Sequence, residues 1–216
     1  MGTKTDNSNL AGKLELRRYF LRKYHADEAP RVLDCCQGEG IVWRELGSEF
    51  ALGSYWGVDL KRRKGRLQLD SVRILQQPGW PQNVIDIDTY GSPWKHWEAL
   101  LPNLRRPATV FLTIGLVRIG GGGPLDKCAV WALRLGRLPI PPGISGRLHP
   151  LAMNYMLTRT RDYGIRLVEA VEAVSTGNAR YVGVRLEPGR QPPCDPEGGE
   201  PCPSQSAERR NGRSRA

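Results

Sequence analysis

The sequence contains no long hydrophobic run and no secretory leader. No stretch approaches the roughly 18 consecutive apolar residues that a membrane-spanning helix needs. The N-terminus also lacks an apolar segment ahead of a cleavage site. We therefore expect a cytoplasmic protein without a membrane partner.

Cysteine and histidine are scarce: the 216 residues include five cysteines and three histidines. No two cysteines form a CxxC pair, and none lies at zinc-ligand spacing from a histidine, so we expect no metal site. Cys35 and Cys36 are adjacent. They could form a redox pair, but two small residues buried in a strand are the favoured interpretation.

Acidic residues are outnumbered, since 32 lysines and arginines face 22 aspartates and glutamates and give a formal net charge of +10. The positive charge is concentrated in segments 13–23, 61–66 and 209–215. A field of this sign attracts polyanions, so nucleic acid, either RNA or DNA, is the predicted partner. The alternative is a set of solvated basic runs on a protein that binds no nucleic acid.

The length suits one α/β domain with a buried core and is too short for two ordinary domains. Residues 1–28 are predicted to be a basic helical leader, because apolar side chains recur at helical spacing among arginines and lysines. Residues 29–187 form the predicted folded domain. Residues 188–216 are rich in Pro, Gly, Ser, Glu and Arg, which predicts a disordered basic tail.

Short β-rich runs alternate with helix-compatible segments along the folded domain. Strands are predicted at 31–36, 55–60, 66–71, 83–90, 109–114, 165–174 and 180–186. Helices are predicted at 41–50, 72–77, 94–101, 125–135 and 150–163. This alternation, with right-handed crossovers, predicts an α/β fold: a mostly parallel seven-stranded sheet with helices on both faces. The last two strands form a C-terminal antiparallel hairpin.

A glycine turn follows the first strand, and an acid ends the second. The turn contains Gly38 and Gly40, and Asp59 comes 19 residues later. Glycine lets the backbone approach a ligand, and a carboxylate can accept hydrogen bonds from both hydroxyls of a ribose. Ligands of open α/β sheets bind at the carboxyl ends of the strands, so these residues predict a nucleoside-containing ligand there.

The same pattern could hold a nicotinamide dinucleotide. Its fingerprint needs a third glycine for close helix packing, and Trp43 occupies that position here. The indole argues against a dinucleotide. Arg62 and Arg63 could bind a 2′-phosphate, so NADP remains an alternative ligand. A strand–turn–helix that binds no ligand is a further alternative.

The segment from Val32 to Gly40 resembles the first motif of class I S-adenosylmethionine-dependent methyltransferases, V-L-D-x-x-x-G-x-G. Asp59 matches the acid of their second motif. The resemblance implies a Rossmann-like fold and S-adenosyl-L-methionine as cofactor. The cofactor-binding residues that it implies are Asp34, Gly38, Gly40, Asp59 and Asp70. Among them the two glycines would contact the methionine and ribose, Asp59 the ribose hydroxyls and Asp70 the adenine.

The fourth predicted strand ends in an unusual segment, 84–93, that reads Val-Ile-Asp-Ile-Asp-Thr-Tyr-Gly-Ser-Pro. It resembles the D-x-D-P-[FY]-G-S-P segment of the tRNA methyltransferases that form dimethylguanosine, with Thr89 in place of proline. The resemblance implies that the enzyme methylates an exocyclic amino group of a nucleic acid base.

Such an amine has a lone pair that is delocalised into the ring, so it must be activated. A carboxylate that accepts its N–H bonds localises the lone pair, and an aromatic face can stack on the extruded base. We predict Asp88 as the acceptor and Tyr90 as the stacking residue, both with catalytic roles. Gly91, Ser92 and Pro93 are predicted to bind substrate.

Several residues of this region have competing interpretations. Asp86 is more typical of a structural acid paired with backbone amides or a basic side chain. Tyr90 could instead pack on the core, and His96 could be a base, although a packed or solvated histidine is favoured. The glycine run 120–123 could be a lid or a slack connector. A protein or small-molecule acceptor is a further alternative, as is a non-catalytic nucleic-acid-binding module with the same fold.

Overall fold

The structure is a computed structural model that describes residues 9–61, 67–89, 91–115, 127–136, 142–173 and 179–189. Tyr90, the Arg62–Arg63 pair and the glycine run 120–123 lie outside the described residues. The same holds for residues 190–216 of the predicted tail.

Seven strands form one sheet. They are β1 Arg31–Asp34, β2 Ser54–Asp59, β3 Leu67–Gln68, β4 Val84–Ile87, β5 Ala108–Gly115, β6 Ile165–Ala173 and β7 Ala179–Pro188. Their order is β3-β2-β1-β4-β5-β7-β6. The first five strands run parallel to one another, whereas β7 runs antiparallel to both β5 and β6. The predicted mostly parallel seven-stranded sheet with a terminal hairpin is confirmed.

The described residues form six α-helices beside the sheet. They are α1 Leu10–Tyr24, α2 Ile41–Glu49, α3 Ser71–Leu75, α4 Trp94–Leu100, α5 Lys127–Ala132 and α6 Pro142–Thr158. Short 3-10 helices follow α4 and α6. No helix in the described part of the chain is both long enough and apolar enough to cross a membrane.

The strands are buried on both faces because helices cover both. Side chains alternate along each strand. Val32, Val84 and Phe111 face α1 and α2 in one hydrophobic cluster. Leu33, Ile85 and their neighbours lie in the other cluster, which includes apolar residues of α3, α4, α5 and α6. Asp34 and Asp86 follow Val32 and Val84 by two residues, so their side chains point to the α1–α2 face.

Helix α1 belongs to the core of the domain. Leu14, Leu16, Phe20 and Leu21 are buried, and the Phe20 ring lies against the backbone of Gly183 in β7. The predicted boundary at residue 28 therefore does not separate this helix from the sheet. The physical reason is that α2 alone leaves part of one sheet face uncovered, and the apolar side of α1 fills it.

Several element boundaries differ from the sequence prediction, and three of them concern α6, β3 and β7. Helix α6 begins at Pro142 and carries Pro150 in its interior, whereas the sequence predicts a start at Pro150. The third strand is only the pair Leu67–Gln68. Pro188, predicted as the first residue of the tail, pairs with Ile165 at the end of β7. Proline is common at helix starts and in tails, which explains two of these three errors.

Candidate functional site

The glycine turn between β1 and α2 depends on two left-handed residues. Gly38 has a φ of 50° and Gly40 a φ of 64°. Gly40 is also the N-cap residue of α2. This region of conformational space is costly for residues with a Cβ, so the local fold needs glycine at both positions.

The turn meets the acid at the end of β2. The Gly38 amide donates a hydrogen bond to Oδ2 of Asp59 at 3.2 Å, and the Lys61 amide donates to Oδ1 at 2.9 Å. Asp59 is half-buried. Two sequence-predicted site residues, 21 positions apart, therefore lie side by side at the carboxyl ends of β1 and β2.

Trp43 does not fill the space beside the turn. Its side chain points into the core between α1, α2 and the sheet, where the ring lies 6.4 Å from that of Phe111, centroid to centroid. The indole Nε1 donates to Oδ2 of Asp86 at 2.6 Å. The residue that replaces the third glycine of the dinucleotide fingerprint is thus part of the hydrophobic core.

Asp34 ends β1 as a buried carboxyl group. Burial and the nearby charge of Asp86 raise its pKa to about 8, although the Tyr55 hydroxyl donates to it at 2.9 Å. The Cys36 amide also donates to it, at 3.3 Å. Two acids share this face at adjoining strand ends, so a positive charge brought beside Asp34 would favour its ionised form.

Asp70, the residue predicted to face an adenine, caps helix α3. Its Oδ1 accepts a hydrogen bond from the Val72 amide at 3.0 Å, and Arg73 lies 3.8 Å from Oδ2. The structure therefore places Asp70 at the loop between β3 and α3. Its contact with an adenine stays a prediction.

Asp86 is held by a buried arginine. Arg17 of α1 donates to both carboxylate oxygens, at 2.8 and 2.7 Å, and its guanidinium lies over the Phe111 ring. Burial lowers the pKa of Arg17, but the charge and hydrogen bonds of Asp86 outweigh it and leave this pKa raised. Asp86 thus has the ion-paired structural role that the sequence favours.

Asp88 is held by a buried lysine from the same helix. Lys13 Nζ lies 2.9 and 2.6 Å from its two carboxylate oxygens and 5.1 Å from the centroid of the Tyr181 ring. The Lys13 side chain is 3% exposed and that of Asp88 20% exposed. The predicted acceptor carboxylate therefore keeps an exposed edge, while a cation binds it from the protein interior.

The three predicted substrate-binding residues form the turn from β4 into α4. Gly91 has a φ of 114°, and its carbonyl accepts a hydrogen bond from the Gly115 amide at 2.7 Å. A Cβ on Gly115 would come within 3.0 Å of Gly91 Cα, so the two backbones touch. Ser92 Oγ accepts from the Trp94 amide at 3.4 Å, and Pro93 precedes α4. Substrate contacts of this turn stay a prediction.

His96 lies behind this turn on α4. Its Nε2 is 2.9 Å from Ser71 Oγ, and desolvation lowers its pKa to about 4. A packed histidine of this kind is the favoured interpretation of the sequence. Tyr90, the predicted stacking residue, lies outside the described residues.

The sequence analysis did not identify Lys13 and Arg17 as partners of the acids at the end of β4, although the spacing of the two cations is compatible with that pairing. Residues i and i+4 of a helix are about 6 Å apart along its axis, and residues i and i+2 of a strand are about 6.6 Å apart. Two cations four residues apart on the apolar side of α1 therefore match two acids two residues apart, one in β4 and one just after it.

Comparison with known proteins identifies the fold. No protein-family profile and no curated protein matches the chain. Among solved structures, Trm1 from Pyrococcus horikoshii in complex with S-adenosyl-L-methionine aligns at 16% identity with a TM-score of 0.61. The alignment covers 88% of this chain and 59% of Trm1, so the chain spans about three fifths of that protein.

Two further structures show the same likeness. The plantazolicin methyltransferase BamL, solved with a triazolic desmethylPZN analog and SAH, aligns at 12% identity with a TM-score of 0.51, over 83% of this chain and 86% of its own. A protein from Lactococcus lactis described as a candidate hemolysin aligns at 14% with a TM-score of 0.54, over 82% and 86%. At these identities the comparison establishes the fold, which is that of the class I methyltransferases.

Proposed function

From this fold, we propose that the protein is an S-adenosyl-L-methionine-dependent methyltransferase whose acceptor is an exocyclic amino group of a nucleic acid base. The observation that carries the proposal is the contact between the glycine turn and Asp59. The Gly38 amide lies 3.2 Å from the carboxylate, at the strand ends where ligands of this fold class bind.

The residues present at these strand ends suit a cationic nucleoside. Asp59 would accept hydrogen bonds from the ribose hydroxyls, and Gly38 and Gly40 would admit the ligand close to the backbone. Burial and the charge of Asp86 raise the pKa of Asp34, and a cation bound beside it would favour its ionised form. The bound cofactor supplies an electrophilic methyl group on its sulfonium.

The acceptor half of the proposal rests on Asp88. Its exposed carboxylate edge could accept an N–H bond of the acceptor amine and localise the nitrogen lone pair. The site contributes mainly position and electrostatics to the displacement. The fourth-strand segment and the positive charge of the sequence support a base of RNA or DNA, and Tyr90 is proposed to stack on it.

Cofactor binding is the first test. Titration calorimetry with S-adenosylhomocysteine should give a stoichiometric signal, and Asp59→Ala should abolish it because the ribose loses its acceptor. Asp162→Ala is the matched control, since this exposed acid pairs with Arg159 beside the amino end of β6. An absence of binding by the wild-type protein would favour a non-catalytic nucleic-acid-binding module.

Methyl transfer is the second test. Wild-type protein should transfer labelled methyl groups from S-adenosylmethionine to bulk RNA or DNA. Asp88→Ala should reduce the rate at least about tenfold, because the amine loses its hydrogen-bond acceptor. Calorimetry on the same variant should show intact cofactor binding. Labelling of a protein fraction alone would replace the nucleic acid acceptor with a protein one.

A further inference from the structure

Two ion pairs join the first helix to acids in β4 and just after it, and the two pairs differ in exposure. Arg17 and Asp86 are both buried, with side chains 2% and 3% exposed. In the second pair Lys13 is equally buried, but Asp88 is 20% exposed. The first pair is closed to any ligand, whereas the second leaves one carboxylate edge open.

We propose that Lys13 is a positioning residue that orients the Asp88 carboxylate toward the methyl acceptor. This inference rests on the proposed function. Lys13 binds both oxygens of the carboxylate, at 2.9 and 2.6 Å, so rotation of the group about its Cβ–Cγ bond would break one of the two contacts. The open edge of Asp88 is thereby kept facing out of the core.

The surroundings of Lys13 make its own position well defined. The ammonium group lies over the Tyr181 ring, which belongs to β7, while its backbone belongs to α1. Arg17 donates a hydrogen bond to the Lys13 carbonyl at 3.0 Å and thereby ties the Asp86 pair to this turn of the helix. Lysine at position 13 is consequently fixed by its own helix α1, by Asp88 just after β4, and by Tyr181 of β7.

A lysine with no partner at this depth would be costly, because burial of an uncompensated charge is strongly unfavourable. The pairing is therefore mutual. Lys13 needs the carboxylate to stay buried, and the carboxylate needs the ammonium to hold one orientation. The predicted acceptor group is thus controlled by a helix that lies 75 residues away in sequence.

The test uses Lys13→Met, which removes the charge and keeps an unbranched side chain, and Lys13→Arg, which can still bind both oxygens. Lys23→Met is the matched control, because Lys23 lies on the same helix and pairs with Glu169 at the surface. Thermal denaturation establishes that each variant is folded. If Lys13→Met does not fold, Lys13→Gln, which keeps a hydrogen-bond donor without the charge, takes its place.

The expected result is a loss in turnover without a loss in binding. Lys13→Met should lower kcat for labelled methyl transfer to RNA or DNA about tenfold or more while the KM and the S-adenosylhomocysteine affinity change little. Lys13→Arg should recover most of the rate, and Lys23→Met should match wild type. A folded Lys13→Met or Lys13→Gln protein with wild-type kcat would overturn the inference.

A second measurement does not depend on activity. In protein labelled with ¹³C at aspartate carboxyl groups, the Asp88 signal, assigned with Asp88→Asn, should move in Lys13→Met and stay in place in Lys23→Met. A signal that is indifferent to Lys13 would overturn the inference. If wild-type protein transfers no methyl group to RNA or DNA, the proposed acceptor is wrong, and the carboxyl signal alone decides whether Lys13 holds Asp88.

Discussion

Three carboxyl groups on one face of the sheet differ in how their charge is compensated. Asp86 and Asp88 each contact a cation of α1 through both oxygens. Asp34 instead accepts hydrogen bonds from the Tyr55 hydroxyl and the Cys36 amide. Neutral donors offset the cost of burying an ionised carboxylate less well than a cation does, which is why the Asp34 pKa is raised.

This raised pKa predicts a pH-dependent stability. With a pKa of about 8, folded Asp34 binds its proton more tightly than the unfolded chain does. The free energy of unfolding should therefore fall as the pH rises from about 4 to about 8, with a slope of up to about 1.4 kcal/mol per pH unit. In urea denaturation without ligand, the free energy of unfolding of Asp34→Asn should not show this decrease with pH.

A control for the Asp34→Asn variant needs a carboxylate that is not buried beside another acid. Asp162→Asn should follow the wild-type pH dependence, because Asp162 is exposed and lies far from the strand ends that carry the site. If the stability curves of wild type and Asp34→Asn run parallel between pH 5 and 8, ionisation of Asp34 does not differ between the folded and unfolded chain.

Single residues also show what the sequence could and could not predict. The contact of Gly38 with Asp59 follows from topology, because neighbouring parallel strands bring their carboxyl ends together. The contact of Lys13 with Asp88 does not, since a pattern of charges gives no partner across 75 residues. Only the three-dimensional packing of α1 selects this pair.

Helix α1 is the element whose role differs most from the sequence prediction. A basic amphipathic segment is typical of a solvated leader, and segment 13–23 has that composition. In the structure two of its cations are buried against Asp86 of β4 and Asp88 just after it, and its aromatic face packs on β5 and β7. Hydrophobic periodicity predicted the helix correctly, but not the sheet face that it covers.

The packing of α1 on β7 gives a prediction at Gly183. A Cβ at this position would lie 2.5 Å from Phe20 Cε2, so the buried ring would have to move. Gly183→Ala should lower the free energy of unfolding by about 1–3 kcal/mol, the usual cost of overpacking a core. Urea denaturation measures the difference.

A second glycine provides the matched control. Gly47 lies on the exposed side of α2, and a Cβ there would meet only Leu52 Cδ1, at 3.6 Å. Gly47→Ala should raise the free energy of unfolding by about 0.5–1 kcal/mol, because alanine favours the helix. Equal stability of Gly183→Ala and wild type would mean that α1 does not pack on β7 at this point.

At the scale of the whole molecule, the type of sheet could be predicted from the sequence, but the distribution of unpaired charge could not. Alternating strands and helices predict a parallel sheet with a terminal hairpin, and the order β3-β2-β1-β4-β5-β7-β6 has that form. The sequence has a net charge of +10 and contains three basic regions. Within the first of them, 13–23, four cations are already paired with acids: Lys13, Arg17, Arg18 and Lys23.

This pairing changes where a polyanion could be attracted. A cation that is buried or bound to a carboxylate contributes little to the field outside the protein. The basic composition of segment 13–23 therefore gives less support to a nucleic acid partner than its sequence suggests. Sequence composition counts every lysine and arginine equally, and only the fold shows which of them have local partners.

The connection between α1 and β4 also bears on how the chain is made. Lys13 and Arg17 leave the ribosome 75 and 69 residues before the acids that they bind. Until β4 and Asp88 are synthesised, the nascent helix carries two cations whose acidic partners are not yet present. Docking of α1 must accordingly wait for β4 and the residue that follows it, so the region around Asp88 is assembled from two parts of the chain that are synthesised at different times.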